Sequence, residues 1–229
     1  MTTALEISDL HFSWPGQSEA ALTIDALSLA QGQSLFIQGP SGSGKSTLLN
    51  LIAGMLTPQR GSIYLLPQLS GQRSLDDRFR ADHIGYIFQQ FNLLPFLSAL
   101  ENVSLSCQFS KLRSERCRSE YGSVESAARH WLTQLNIPER LFALSASQLS
   151  VGQQQRVAAA RAMMGSPELI IADEPTSALD VDNARHFVQQ LLEHCQSAQS
   201  SLLFVSHDLQ LTEGFDHRLT LQDTAQVQL

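Results

Sequence analysis

The chain has 229 residues, of which 43% are hydrophobic, and this length allows one sizeable core or one core with an attached lobe. Its formal net charge of −7 argues against a nucleic-acid-binding protein that relies on a broad basic surface. No run of residues approaches the ~20 apolar residues of a membrane span, and the N-terminus lacks the basic and apolar regions of a signal peptide.

The three cysteines, Cys107, Cys117 and Cys195, are odd in number and lack C-x-x-C spacing. This pattern argues against a disulfide framework and against a zinc site. It predicts reduced thiols in a cytosolic protein.

Three strands are predicted before the first helix. Residues 4–12 and 21–29 flank a turn at Pro15-Gly16, and the second of these segments alternates apolar and polar residues. Ser34–Gln38 is a short apolar run that reads as a buried strand.

A glycine-rich segment follows the third strand and fits the phosphate-binding pattern G-x-x-x-x-G-K-[ST]. Its glycines allow a tight turn in which successive N–H groups face phosphate oxygens, Lys45 adds a positive charge, and Ser46 offers a hydroxyl to Mg²⁺. A purely structural turn is the alternative, but a buried strand precedes the segment and apolar residues at helical spacing follow it. The predicted site residues are Gly39, Pro40, Ser41, Gly42, Ser43, Gly44, Lys45, Ser46 and Thr47.

Further elements follow in the middle of the chain. Ile63–Leu66 is a short strand, and a polar connection leads from it to a strand at Ile84–Phe88. Gln89, at the end of that strand, could reach a metal ion or an attacking water, although glutamine is also an ordinary surface residue. Residues 98–140 are helix-like, and a helix is predicted from Gly152 to about Met164.

The helix from Gly152 is preceded by a possible second anion site. Ser150 fits a helix N-cap, and its hydroxyl, the Gly152 N–H group and the helix dipole could also face a phosphate. The segment alone does not decide between these roles.

Two apolar strands in the last third of the chain end in chemically active residues. Asp173 and Glu174 directly follow the strand Leu169–Ala172, at the strand end where α/β proteins bind ligands. Asp173 is predicted to hold Mg²⁺ through water and Glu174 to face the attacking water, whereas helix capping is the alternative for both. A helix is predicted at 182–195, and His207 follows the strand at 202–205 as a γ-phosphate sensor or a structural histidine.

These motifs together resemble the nucleotide-binding domain of ATP-binding-cassette (ABC) transporters over nearly the whole chain. Trp14 lies where the family has its adenine-stacking aromatic residue. The matching segments are Gly39–Thr47 (Walker A), Phe88-Gln89 (Q-loop), Leu149–Gln153 (signature), Leu169–Glu174 (Walker B), Ser177–Asp180 (D-loop) and His207 (switch histidine).

The resemblance implies an α/β fold in a single domain at 1–229. A P-loop NTPase core with a parallel sheet would occupy 36–59, 84–89 and 165–229. An antiparallel β-subdomain would occupy about 1–35 and 60–83, and an α-helical signature subdomain about 90–164.

The resemblance also implies a head-to-tail homodimer with ATP and Mg²⁺ as cofactors. Each ATP would lie between Walker A of one subunit and a second set of residues from the other subunit, Ser150, Gly152 and Gln153. Glu174 would act as general base, with Lys45, Gln89 and His207 as further catalytic residues, and Asp180 would link the two sites. The implied metal-binding residues are Ser46, Gln89 and Asp173.

The segments at 84–95 and 99–103 resemble the lipoprotein-release and macrolide-efflux type of ATPase. This implies a separate transmembrane permease subunit and a cytoplasmic location on the inner face of the membrane. The alternatives are an amino-acid importer ATPase and a cell-division-type regulator that moves no substrate. An ATPase acting on DNA or ribosomes is disfavoured because the segment between Gln89 and Ser150 is short and the chain is acidic, so no nucleic-acid partner is expected.

Four apolar residues after the Q-loop, Phe91, Leu93, Leu94 and Phe96, are predicted to form part of a groove for the permease or to pack in the helical core. Val151 stands where the family usually has glycine, which predicts reduced but present hydrolysis. The hairpin near Asp223-Thr224 lacks a glycine often found there, and no regulatory domain is expected after Leu229.

Overall fold

The computed structural model describes residues 2–17, 19–67, 76–221 and 227–228. Over these residues the chain forms two sheets and a set of helices. The predicted hairpin near Asp223-Thr224 lies outside the described residues.

The smaller sheet is antiparallel and has the strand order β2-β1-β4, with β1 at Thr3–Phe12, β2 at Leu22–Ala30 and β4 at Arg60–Leu65. The first two strands lie within one residue of their predicted bounds. A turn at Pro15-Gly16 follows β1, and Gly16 adopts the left-handed region with φ +84°. This positive φ explains why glycine stands at that position.

The larger sheet has the order β5-β6-β7-β3-β8-β9 and is parallel except for its last strand. Apolar residues of β6 alternate between two core clusters: Ile170 and Ala172 pack in one, and Leu169 and Ile171 in the other. The sheet is therefore covered on both faces, as a parallel sheet requires. Its strands are β3 (Ser34–Gln38), β5 (Ile84–Ile87), β6 (Leu169–Asp173), β7 (Ser201–Val205), β8 (His217–Leu221) and β9 (Val227–Gln228).

The helices were predicted with mixed success. The helix-like segment predicted at 98–140 contains four helices, and Ser98, Ser110 and Ser123 start three of them by accepting a backbone N–H bond as N-caps. The helices are α1 (Lys45–Ile52), α2 (Asp77–His83), α3 (Ala99–Ser104), α4 (Ser106–Phe109), α5 (Lys111–Tyr121), α6 (Val124–Gln134), α7 (Val151–Met163) and α8 (Val181–Ser197), with 3₁₀ turns at Glu139–Leu141, Ala146–Gln148 and Leu209–Leu211.

Helix α2 lies in the segment that was expected to be only a polar connection. Asp76 caps it, and the helix contacts β5 and α4. None of the helices in the described part of the chain combines the length and apolar character that crossing a membrane requires.

Candidate functional site

The loop between β3 and α1 is shaped by glycines with left-handed backbone. Gly42 has φ +86°, and Gly44, the N-cap of α1, has φ +90°. L-residues with side chains rarely adopt this region, so glycine is required at both positions. Ser41, Gly42 and Ser46 are exposed, whereas Ser43, Lys45 and Thr47 are buried. The loop therefore presents one face to solvent while its alternate residues anchor it.

The start of the loop is packed so closely that it also requires glycine. A Cβ atom on Gly39 would lie 2.5 Å from Ser43 Oγ and 2.6 Å from the Leu221 carbonyl oxygen. Ser43 Oγ itself is buried and has no hydrogen-bond partner among the described residues. Buried hydroxyls are normally satisfied, so this orphaned donor fits a loop that binds an anion.

Lys45 folds back over the loop. Its Nζ donates to the carbonyl oxygens of Gly39 at 2.9 Å and Pro40 at 2.8 Å, and it lies 3.9 Å from Glu174 Oε1. Burial of this ammonium group requires such partners, because a desolvated charge is costly without them. The three N–H groups of the Lys45 ammonium could instead donate to phosphate oxygens lying over the loop.

Asp173 ends β6 beside the start of α1. Its Oδ1 accepts a 3.4 Å hydrogen bond from Ser46 Oγ. Burial raises the pKa of Asp173, the Ser46 bond lowers it, and the neighbouring charge of Glu174 raises it further. A cation at this position would relieve both unfavourable effects.

The arrangement of Ser46 and Asp173 fits Mg²⁺. Both side chains offer hard oxygen atoms, and Mg²⁺ is typically bound by one or two protein ligands together with waters and substrate phosphates. The described residues contain no cluster of three or more His, Cys, Asp or Glu side chains that would hold a metal ion by themselves. The metal would therefore depend on the nucleotide phosphates for the rest of its ligands.

Glu174 is the residue on which the other predicted groups converge. Its Oε1 faces Lys45, while its Oε2 accepts a 3.4 Å bond from Gln89 Nε2 and lies 3.8 Å from His207 Nδ1. The backbone at Glu174 is left-handed, with φ +45°, and its N–H donates to the Val205 carbonyl at 3.1 Å. Non-glycine residues in this region are uncommon and concentrate at functional sites.

The segment after Gln89 is held by an arginine from α7. Phe91 and Asn92 have φ values of +58° and +47°, and their carbonyl oxygens accept bonds from Arg161 at 2.6 and 2.7 Å. Arg161 falls on the helix predicted from Gly152, and no role was predicted for it. Its position as the one charge in the run AAARAMM could have indicated a role, since a partly buried arginine needs acceptors.

The signature residues lie at the exposed start of α7. Ser150 Oγ accepts a 3.4 Å bond from the Gln153 N–H, and Gln153 Oε1 accepts a 2.9 Å bond from the Ser150 N–H. This is a capping box, so the structural role considered for Ser150 is present. Val151 is 50% exposed and does not have a positive φ, so its side chain creates no backbone strain.

Asp180 caps helix α8. Its Oδ1 and Oδ2 accept bonds from the Asn183 N–H at 3.0 Å and the Asn183 side-chain amide at 2.6 Å, and these bonds lower the pKa of Asp180. A Cβ atom on Gly152 would lie 3.4 Å from Leu179 Cδ2, so the D-loop and the signature are neighbours within this chain. Trp14 is partly exposed, and its ring meets Phe12 edge-on at a centroid distance of 5.1 Å.

The four apolar residues after the Q-loop separate into two groups. Phe91 is buried and Leu93 packs against the helical core, as the core-packing alternative expected. Leu94 is exposed and Phe96 is 75% exposed, so both remain available to a partner.

Asn102 organises the turn that carries these two exposed residues. It is fully buried, its Oδ1 accepts from the Leu94 N–H, and its Nδ2 donates to the carbonyls of Leu94, Leu97 and Ser98 at 3.0–3.1 Å. No role was predicted for Asn102 from the sequence. Its position as a lone asparagine between the predicted apolar positions of a helix could have indicated a buried, hydrogen-bonded amide.

Comparison with known proteins gives a family match over residues 22–177, to the family described as ABC transporter. The ABC transporter ATP-binding protein MJ0796 of Methanocaldococcus jannaschii is 38% identical over 201 residues, which cover 86% of this chain and 83% of that protein. Its dimeric structure in a post-hydrolysis state, bound to ADP and Pi, matches with a TM-score of 0.84 at 34% identity and covers 98% of this chain and 97% of that one.

Two further relatives belong to export and release systems. The lipoprotein-releasing system ATP-binding protein LolD of Nitrobacter hamburgensis is 38% identical over 93% of this chain and 90% of that protein. The macrolide export ATP-binding/permease protein MacB of a Shewanella species is 34% identical over 96% of this chain, which spans 33% of that longer protein.

Proposed function

The chain belongs to the ABC transporter family and is an ATPase subunit of a transporter, and we propose that it drives a separate membrane subunit of the lipoprotein-release or macrolide-efflux type. The observation that carries the proposal is the convergence of Lys45, Gln89 and His207 on the Glu174 carboxylate, within 3.4–3.9 Å. These are the groups that in-line attack of water on a terminal phosphate requires.

In the proposed reaction Glu174 accepts a proton from the water that attacks the γ-phosphorus of ATP, so that ADP and phosphate are formed. Gln89 orients the carboxylate through its 3.4 Å bond, and His207, whose side chain is 66% exposed beside it, holds the γ-phosphate. Lys45 exchanges its bonds to two loop carbonyls for bonds to phosphate oxygens. Ser46, Asp173 and Gln89 would hold Mg²⁺, which would supply charge stabilisation of the phosphates.

The second half of the site is proposed to come from another copy of the chain. Ser150, Gly152 and Gln153 would face the γ-phosphate across a head-to-tail homodimer, with Asp180 linking the two sites and Trp14 stacking on adenine. The exposed helix start at Ser150 supports this role, since helix N-termini favour anions. The MJ0796 structure of similar fold is dimeric and contains ADP and Pi. The division into β-subdomain, core and helical subdomain is part of the same proposal.

The membrane subunit is proposed to dock on the exposed side chains of Leu94 and Phe96, which would place the chain on the cytoplasmic face of the membrane. Phe96 is a large exposed aromatic side chain on a turn whose backbone is bonded to a buried asparagine. Exposed aromatic residues of this kind are typical anchors of protein interfaces. The relatives LolD and MacB support the choice of system.

Sedimentation of the Glu174→Gln variant with and without Mg-ATP tests the site. The variant keeps the shape of the site and removes the base, so bound ATP persists and an ATP-dependent dimer is expected. Glu193→Gln, on the exposed face of α8, is the matched control and should hydrolyse ATP at the wild-type rate. A Glu174→Gln chain that binds ATP and stays strictly monomeric would contradict the two-copy site.

Co-purification from detergent-solubilised host membranes tests the partner. The tagged wild-type chain should retain a membrane protein with a large external domain, and Phe96→Asp should lose it. Leu209→Asp, at a residue that is 61% exposed on a 3₁₀ turn, should still retain it. A transport or extraction assay with that membrane protein then separates an efflux or release system from a regulator that moves no substrate. Equal retention by the two variants would contradict the docking surface.

A further inference from the structure

Cys107 and Cys117 lie side by side in the helical part of the molecule. Cys107 is on α4 and Cys117 on α5, and their sulfur atoms are 3.6 Å apart. Cys117 is fully buried, while Cys107 is 8% exposed and is followed by the exposed residues Gln108 and Phe109. One sulfur of the pair is therefore close to the surface and the other is directly behind it.

A buried cation lies beside this pair. Arg113 precedes Cys117 by one helical turn, and its guanidinium donates to the carbonyl oxygens of Met164, Ala162 and Ile84. These acceptors are neutral, and the nearby groups that can supply a compensating negative charge are the two sulfurs and, with a smaller effect, Glu168.

The ionisation of Cys107 follows from these contacts. The hydrogen bond with Cys117 lowers the pKa of the Cys107 thiol, burial opposes this, and the positive charge of Arg113 lowers it further, to about 7. The pKa of Cys117 is raised, first by its hydrogen bond with Cys107 and then by burial. Cys107 thus has the thiolate character of a reactive cysteine and Cys117 remains a protonated neighbour.

We propose that Cys107 and Cys117 form a redox-active pair that a hydroperoxide converts to a disulfide linking α4 to α5. A disulfide needs sulfur atoms about 2.05 Å apart, so the two sulfurs must approach by about 1.5 Å. Helix α4 has four residues and no side-chain cap, and Ser110, which separates it from α5, is bonded to Asp82 and to the Arg113 N–H, so the approach falls to rotation of the two cysteine side chains.

The reaction balances in two steps. The Cys107 thiolate attacks one peroxide oxygen, the O–O bond breaks, and Cys107 becomes a sulfenic acid. The other oxygen leaves as an alkoxide or hydroxide and takes up the proton that the thiol had released to solvent, which gives an alcohol or water. The Cys117 sulfur then attacks the Cys107 sulfur, forming the S–S bond and releasing water as the Cys117 proton joins the departing hydroxide. The peroxide takes the two electrons that the two thiols lose.

Cys195 is a natural control within the same chain. It lies on α8, is buried, and burial raises the pKa of its thiol to about 12. It should therefore stay reduced under conditions that oxidise the pair.

The test is thiol counting and peptide mapping of the full chain after treatment with hydrogen peroxide. The wild-type chain should lose about 2 Da and fall from three free thiols to one, and dithiothreitol should reverse both changes. Trypsin should release residues 81–111 joined to the dipeptide Cys117-Arg118, because cleavage sites lie at Arg80, Lys111, Arg116 and Arg118. Cys195→Ser should keep the cross-link, and Cys117→Ser should lose it and give a trappable sulfenic acid on Cys107.

Two results would overturn the proposal. One is three free thiols remaining after treatment, with the thermal unfolding curve showing that the chain is folded. The other is irreversible oxidation of Cys107, with a gain of about 32 Da and no linked dipeptide, since this would mean that Cys117 does not reach the sulfenic acid. Unfolding curves of the serine variants establish that any loss of the cross-link is not a loss of the fold.

Discussion

The two halves of the proposed nucleotide site are held in different ways. In the phosphate-loop half, Lys45 faces Glu174 and Ser46 is bonded to Asp173, so the contacts join distant parts of the chain. In the signature half, the side chains of Ser150 and Gln153 bond to each other's backbone in a local capping box at the exposed start of α7. The first half is organised by long-range contacts of the fold, whereas the second is a local motif at the protein surface.

This difference separates substitutions that should impair ATP hydrolysis within one chain from substitutions that should impair assembly of two chains. A change in the phosphate-loop half alters groups already positioned in one chain. A change in the signature half leaves that arrangement intact and weakens what a second copy contributes.

Glu174→Gln should have the largest effect, a loss of hydrolysis of about 10²–10³-fold, because the amide cannot accept the proton. Steady-state phosphate release measures it, and nucleotide binding by the same variant should persist. A rate within a factor of about three of wild type would assign the base to another residue.

Ser150→Ala should reduce hydrolysis by roughly tenfold, the effect of losing one hydrogen bond to a charged group. It also removes a helix cap, which alone destabilises the fold by about 1 kcal/mol. Ser98→Ala removes an equivalent capping box on α3 and is the matched control. Both variants should show the same decrease in unfolding temperature, but only Ser150→Ala should lose hydrolysis. Equal ATPase rates in the two variants would mean that Ser150 acts only as a helix cap.

Gly152→Ala should reduce hydrolysis about fivefold, because it places a methyl group where the γ-phosphate of the ATP bound to the second copy would approach. Within the chain the new Cβ would make an ordinary 3.4 Å contact with Leu179, so the unfolding temperature should hold. Rates and unfolding curves measured together check both statements. A large loss of stability would show that the substitution acts within the monomer instead.

Val151→Gly should have the smallest effect, a gain of about twofold. Val151 is exposed at the first position of α7 without backbone strain, so its side chain can matter only where a second copy approaches. The ATPase rate at saturating Mg-ATP measures this. An unchanged rate would mean that valine at this position does not weaken the signature.

Much of the parallel core could be predicted from the sequence. Leu169–Asp173 and Ser201–Val205 are short apolar runs that end in polar residues, so both the strand and the site edge are visible in one segment. Glycine spacing likewise identifies the loop before α1. Family and ATPase activity, inferred from these motifs, are confirmed by the relatives and the structural match.

Other structural features could not be predicted from the sequence pattern. Helix α2 has the sequence DRFRADH, whose charges hide any apolar periodicity, and β8 begins with His217 and Arg218. The left-handed backbone of Glu174 has no sequence signal, because it is imposed by the bond to Val205 on the neighbouring strand. Such features depend on tertiary contacts between distant segments.

The buried amide of Asn102 has a consequence for how this protein can change over evolution. All of its bonds in the turn at 94–98 are to main-chain atoms, so the path of that turn is specified from outside the turn itself. Phe96 can therefore be exchanged for another side chain without altering the backbone that presents it. During evolution, single substitutions of Phe96 could adapt this contact to a new partner while the rest of the cassette stays the same.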